Sequence, residues 1–295
     1  MSIAVKESVS SDQKNRFRNA RRNLDFTVDQ EWISYSAAEH DRWDRLFKRS
    51  QETLRDRACD EFIAMMNALK LSDSGIPHME KLSERLEKIT GWCVVPVAGL
   101  VPDGIFFNHL ANKRFPAGAF IRSEQEMDYL EEPDIFHDIF GHVPLLANPI
   151  YSDFMQAYGK GGQRATQLGQ LPHLARLYWY TVEFGLIRTK AGLRIFGAGI
   201  VSSTAESLFA LESDSPNRVG FDLERVMRTK YVIDNFQRTY FVIDSFEQLL
   251  DDCYQDFGPI YERIRLAPDI EACELIDNDE VIARGNLSYF KDRSI

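Results

Sequence analysis

Cysteine is scarce in this chain: four among 295 residues, Cys59, Cys93, Cys253 and Cys273, far apart and with no C-x-x-C pair. That spacing argues against a disulfide framework or a cysteine-built zinc site and favours inert thiols in a reducing compartment. No window offers the roughly 18 consecutive apolar residues of a membrane span. Positive charge is also lacking. The net charge is -10 and the pI about 5.2, which speaks against a nucleic-acid-binding surface. There is no secretory apolar stretch at the start, and Glu7 and Asp12 count against a transit peptide. No internal repeat, low-complexity linker or heptad tail is visible. What is present, 44% hydrophobic and 12% aromatic residues, suffices for a large core. A soluble cytoplasmic enzyme is the expectation.

Residues 1–30 are Ser-, Arg- and Asn-rich and are expected to be flexible. Ser36-Ala37-Ala38-Glu39 reads as a capping box opening one long helix, its apolar stripe running from Trp43 to Leu69. A second helix, with Met79, Leu82, Leu86 and Ile89, ends at Gly91. Trp92 to Leu100 is extended, with Pro96 at a sheet edge. Phe106 to Pro149 is irregular, His173 to Ile187 helical, and Leu193 to Val201 extended. Ser203-Thr204-Ala205-Glu206 is a second capping-box pattern. Tyr231–Phe236 and Thr239–Ile243 suggest a hairpin, and Ser245–Phe257 a helix. The expected fold is mainly α with small β elements. It comprises a single catalytic domain over 31–266 and an extension over 267–295 that packs on it or trails from it.

The chemistry starts from Glu183, the sole charge between Arg176 and Arg188 in an otherwise apolar run. A buried lone carboxylate costs several kcal/mol unless a positive group compensates it. Upstream, His137 and His142 sit in another apolar stretch. Two imidazoles and one carboxylate can together hold a divalent cation and leave coordination positions open, as in non-heme Fe(II) oxygenases. On a straight α-helix, residues five apart would point roughly 140° apart, so a distortion near Gly141 and Pro144 is required for both rings to share an ion. Taken singly, each histidine reads as an ordinary core residue. The same donors suit a zinc hydrolase with Asp138 as its base, and residue types alone leave that alternative open.

Six segments carry a resemblance: Pro96 to Leu100, Phe120-Ile121-Arg122, Glu132 to Asp138, Gly141 to Leu145, Tyr178 to Leu186 and Gly197 to Ser203. In order and spacing the chain resembles the aromatic amino acid hydroxylases that use iron and tetrahydropterin, in particular their short bacterial phenylalanine-hydroxylating branch, over roughly residues 90–250. The resemblance implies His137, His142 and Glu183 as iron ligands. It places Phe106 against the pterin ring, Gly99, Leu100 and Val101 on a loop giving it backbone contacts, and Asp138 reaching it through water. Arg122, oriented by Asp134, would clamp the amino acid carboxylate. Pro133 and Trp179 would line the aromatic slot, and Ser202 and Ser203 would lie beside a ligand histidine or the substrate. Tyr178 and Glu206 would support the site from behind.

Without the resemblance several of these have plainer readings. Phe106 beside Phe107 reads as core, Arg122 as a surface partner of Glu124 or Glu126, and Ser203 with Glu206 as a capping box. Trp179, one turn before Glu183, faces the same region on spacing alone. Leu130 and Pro116 depart from the animal enzymes, where a hydroxyl and a histidine stand, so substrate and pterin contacts are not copied in detail. The implied activity is hydroxylation of L-phenylalanine to L-tyrosine with O2, Fe(II) and a tetrahydropterin. The alternatives are tryptophan or tyrosine as substrate, or an amino-acid-binding protein that has kept the fold without the activity. A bulky Trp179 and an apolar Ile233 favour phenylalanine. No regulatory segment of the animal kind precedes the motifs, so a monomer is expected.

Overall fold

The computed structural model describes residues 16–17, 19–128, 130 and 132–291. Helix α1 (Ala37–Leu54) starts at the expected capping box, Ser36 accepting from Glu39 N and Glu39 from Ser36 N, and buries Trp43, Leu46, Phe47 and Leu54. The expected single long helix is in fact two. The backbone leaves α1, passes through a left-handed Asp56 and pairs with a strand, Ile195 N donating to Arg57 O and Cys59 N to Ile195 O. It then resumes as α2 (Asp60–Ala68). Tertiary pairing has replaced helical hydrogen bonds there, although the apolar spacing runs on unbroken.

Helix α3 (Met79–Thr90) ends on a left-handed Gly91 as expected. Strand β1 (Cys93–Val97) is joined by α4 (Asp103–Ala111) to its parallel partner β2 (Arg114–Gly118). The region expected to be irregular is thus largely ordered. It continues into a π-helical segment (His137–His142) that runs without a break into α5 (Val143–Leu146), where Pro144 has no N–H to give to the preceding turn. Helices α6 (Pro149–Gln167) and α7 (Leu171–Tyr178) follow, and α7 runs into a second π segment (Trp179–Glu183).

The helix ends at Glu183 rather than Ile187, because Leu186–Thr189 forms β3 and pairs antiparallel with β4 (Gly192–Ile195). Beyond β4, Ala198–Val201 is not extended but a single helical turn, α8. Helix α9 (Thr204–Glu212) leads to β5 (Asn217–Gly220), α10 (Leu223–Arg228), β6 (Thr239–Ile243) and α11 (Phe246–Cys253), capped by Ser245.

The expected hairpin is absent. Tyr231–Phe236 forms no strand, and β6 is instead the centre of a mixed sheet ordered β4-β3-β6-β5-β7, parallel to both β3 and β5. Every residue of β6 is buried, which fits a continuous apolar run covered on both faces.

The described N-terminal residues are packed rather than loose, and the C-terminal extension takes the packed one of its two expected forms. Phe17 is 1% exposed, Val28 N donates to Pro96 O, and Gln30 bonds Pro77 O and Met79 N. Packing onto β1 and α3 orders this stretch despite its polar composition; residues 1–15 lie outside the described residues. At the other end, β7 (Val281–Ala283) pairs antiparallel with β5. Asn217 ties Cys273 O and Gly285 N to the sheet, and buried Arg225 and Asp279 form an ion pair at 2.7 Å. Among the described residues no helix is long and apolar enough to cross a membrane.

Candidate metal centre

The distortion that the histidine spacing requires takes a definite form. A π-helix has roughly 4.4 residues per turn, so side chains five apart diverge by only about 50°. His137 and His142 therefore share a face. Their Nε2 atoms lie 3.2 Å apart, with Glu183 Oε1 3.3 Å from His142 Nε2 and Oε2 3.6 Å from His137 Nε2. Neighbouring ligands at about 2.1 Å on an octahedral ion would be roughly 3 Å apart. The three donors already form one triangular face of such a shell, and the donor set fits a divalent cation of this class.

Both π segments are held by α8. Gly141 lies against it, where a Cβ would stand 2.9 Å from Ala198 O, and Gly197 lies against the Glu183 backbone, where a Cβ would stand 2.4 Å from Glu183 O. The Gly199 N–H donates to the Glu183 carboxylate. In the second segment Phe184 N reaches back to Trp179 O at 2.9 Å, a five-residue bond.

Ser202, at the end of α8, donates its hydroxyl to Ala198 O at 2.7 Å. Its oxygen is 2.9 Å from His137 Nδ1. With the hydroxyl proton committed, Ser202 accepts the Nδ1 proton, and His137 turns the Nε2 lone pair toward Glu183.

Burial pushes His137 down to about 4, against the pull of Glu183, so the ring is neutral as a ligand must be. Burial also works against charge on His142 and Glu183. Their mutual attraction outweighs it, holding His142 above and Glu183 below the ordinary values. Glu183 has no arginine or lysine partner among the described residues; the imidazoles are its compensation. Asp138, whose Oδ2 accepts from Gly118 N at 2.7 Å, is pushed by burial up to about 7.

The other expected residues surround this triangle. Buried Arg122 gives Nε and Nη2 to Asp134, each at 2.9 Å. Glu124 pairs with Arg45 instead, and Glu126 with Ser123. Phe106 packs edge-on against Tyr178 at 5.8 Å, and Tyr178 stacks at 6.2 Å on His142. Gly99, Leu100 and Val101 form the turn after β1, with Leu100 exposed. Pro133 is half-buried beside Asp134. Ile233 is 73% exposed on the loop before β6, not inside an enclosed slot.

Ser203 caps α9 by accepting from Glu206 N, as the capping reading expects. The reciprocal half is missing, because the Glu206 carboxylate turns into the core to accept from Tyr240 Oη and Gln237 N. Burial pushes Glu206 up to about 7.

Two residues around Trp179 escaped the sequence reading. Tyr231 stacks on the indole, with centroids 4.4 Å apart and a 19° tilt, and Gln237 accepts its N–H at 2.9 Å. Reading Tyr231–Phe236 and Thr239–Ile243 as a hairpin made Tyr231 a strand residue and Gln237 a turn residue, and no local pattern marks a loop that folds back onto a helix.

A family profile described as biopterin-dependent aromatic amino acid hydroxylase matches residues 6–286. The chain belongs to that family. The hydroxylase is 59% identical over 265 residues to phenylalanine-4-hydroxylase of Caulobacter vibrioides, covering 90% of each chain. It is 56% identical over 268 residues to the enzyme of the same name from Ralstonia nicotianae, covering 91% of this chain and 86% of that one. Among solved structures it is similar to cobalt-bound phenylalanine hydroxylase of Chromobacterium violaceum, with a TM-score of 0.89 and 50% identity over 92% of this chain and 98% of that one. Membership sets aside the zinc-hydrolase alternative that donor types alone left open, and the fold is the catalytic fold of these enzymes.

Proposed function

We propose that the hydroxylase converts L-phenylalanine to L-tyrosine, with His137, His142 and Glu183 as the ligands of its Fe(II). The observation that carries this is the triangle of two neutral-capable imidazole nitrogens and one carboxylate, spaced as one face of an octahedron. Iron and a reduced tetrahydropterin supply the activation of dioxygen when bound.

The protein's own residues do the rest. Ser202 keeps the His137 proton on Nδ1, away from the metal. Arg122, held by two bonds to Asp134, presents the remaining edge of its planar fork to the substrate carboxylate. Trp179 and Pro133 wall the aromatic slot, and Ser203 keeps the chain entering α9 in place beside Ser202. Phe106, braced by Tyr178, offers a ring face to the pterin; Gly99, Leu100 and Val101 offer it backbone groups, and Asp138 lies within a water's reach. The slot and ring contacts would hold the substrate ring beside the His137, His142 and Glu183 donors, where positioning lowers the barrier and water is kept out.

The same reading takes the protein as a cytoplasmic monomer. Its free, scattered cysteines and acidic charge support that, and light scattering after gel filtration tests the monomer.

The deciding experiment is anaerobic reconstitution with Fe(II) and reduced pterin, followed by air and mass spectrometry of products from phenylalanine, tyrosine and tryptophan. Tyrosine formed from phenylalanine, dependent on iron and pterin, is expected. Preferred turnover of tryptophan, or activity with zinc alone, would overturn the assignment.

A further inference from the structure

The indole of Trp179 is held by three different kinds of contact. Tyr231 stacks on its face at 4.4 Å, Phe184 leans on it at 4.8 Å and 40°, and Gln237 Oε1 accepts its N–H at 2.9 Å. The two ring contacts fix the indole plane but resist in-plane sliding weakly, since offset stacking is satisfied over a range of positions. Only the hydrogen bond selects one orientation within that plane.

Gln237 is built to supply it. The residue is 2% exposed, and its amide cannot flip without loss, because Nε2 donates to Val232 O at 3.0 Å and weakly to Asn235 O at 3.4 Å. Its backbone N–H is anchored on the buried Glu206 carboxylate. The acceptor is thus presented by a prepaid network, and the loop carrying Tyr231 is closed by the same amide.

We propose that Gln237 is a specificity-determining positioning residue, holding the Trp179 indole where it closes the substrate slot against rings larger than phenyl. The proposal rests on the reading of Trp179 as a slot wall. A merely structural glutamine would affect stability without touching selectivity, and would do so whatever residue stood at 179.

The test is a cycle of wild type, Gln237→Met, Trp179→Phe and the double variant, each iron-loaded. The readouts are kcat/KM for phenylalanine and tryptophan and the thermal midpoint. Gln237→Met is expected to raise the tryptophan-to-phenylalanine ratio about 3- to 10-fold, mainly through KM. In the Trp179→Phe background, where no indole N–H remains, the same change is expected to shift the ratio less than about 2-fold. If Gln237→Met does not fold, Gln237→Asn withdraws the acceptor by one methylene and carries the same expectation. An unchanged ratio, or an equal shift in both backgrounds, overturns the role of Gln237. If Trp179→Phe alone leaves the ratio unchanged, the slot reading fails first and the proposal falls with it.

Discussion

One oxygen of Asp134, Oδ1, accepts both Nη2 of Arg122 at 2.9 Å and the backbone N–H of His137 at 3.0 Å. Its other oxygen takes Arg122 N and Nε. The guanidinium proposed to grip the substrate and the first residue of the metal triangle therefore share a single buried anchor. A displacement at either is felt at the other, which relates substrate position to metal position without a long chain of contacts.

Arg122→Lys tests the grip. An ammonium cannot reproduce the planar fork, and losing one charge-assisted bond costs about 1.5–3 kcal/mol. The KM for phenylalanine should rise roughly 10- to 100-fold with a smaller change in kcat. A kcat loss as large as the KM rise would show that Arg122 acts on the chemical step rather than on substrate holding.

Ser202→Ala removes the acceptor that keeps the His137 proton on Nδ1. Loss of such a support costs about 10- to 100-fold in metal affinity. Anaerobic competition between the protein and a chelator for Fe(II) or Co(II) measures this directly. Affinity unchanged within a factor of two would mean that His137 holds its tautomer without the hydroxyl.

Gly197→Ala should be costly and Gly161→Ala harmless. A Cβ at 197 would meet Glu183 O at 2.4 Å, whereas one at 161 meets nothing within 4 Å. Overpacking costs about 1–3 kcal/mol, and here it also pushes a proposed metal ligand. Residue 161 lies within helix α6, where alanine gains about 0.5–1 kcal/mol over glycine. Calorimetric midpoints and metal content read both effects; equal midpoints for the two variants would contradict the close approach of α8.

Stability should fall as pH rises because of Glu206. Its folded value, about 7, lies above its ordinary 4.5, so the folded chain keeps a proton that the unfolded chain releases. The contribution is complete below about pH 4.5 and is lost as pH rises through about 7. At most it amounts to about 3 kcal/mol. Glu206→Gln keeps the acceptor for Tyr240 and Gln237 but removes the titration. Urea midpoints from pH 4.5 to 8 should therefore slope less in the variant, and identical slopes would refute the buried proton.

Much of this was legible along the chain because it rests on local rules. Ser36 and Glu39 form their box and Gly91 ends its helix because capping depends on residues within one turn. Glu183 drew attention because a carboxylate in an apolar run needs compensation wherever the run lies. The breaks were not legible. Nothing in the apolar stripe from Trp43 to Leu69 announces that residues 55–59 will pair with Ile195. Thr239–Ile243 is an unbroken apolar run, which suits a strand covered on both faces, but nothing in it names β3 and β5 as the partners that replace the expected hairpin.

The sequence alone determined which donors exist, that they lie in apolar surroundings, and that a regular α-helix could not bring His137 and His142 to one ion. Only the tertiary structure decided how the helix yields. A fifth-residue register is rarely chosen by a helix left to itself, although Pro144, with no N–H to give, already interrupts the fourth-residue ladder beside it. The choice then falls to packing: α8, pressed through Gly141 and Gly197 against both π segments, places two histidines and a glutamate on one triangle.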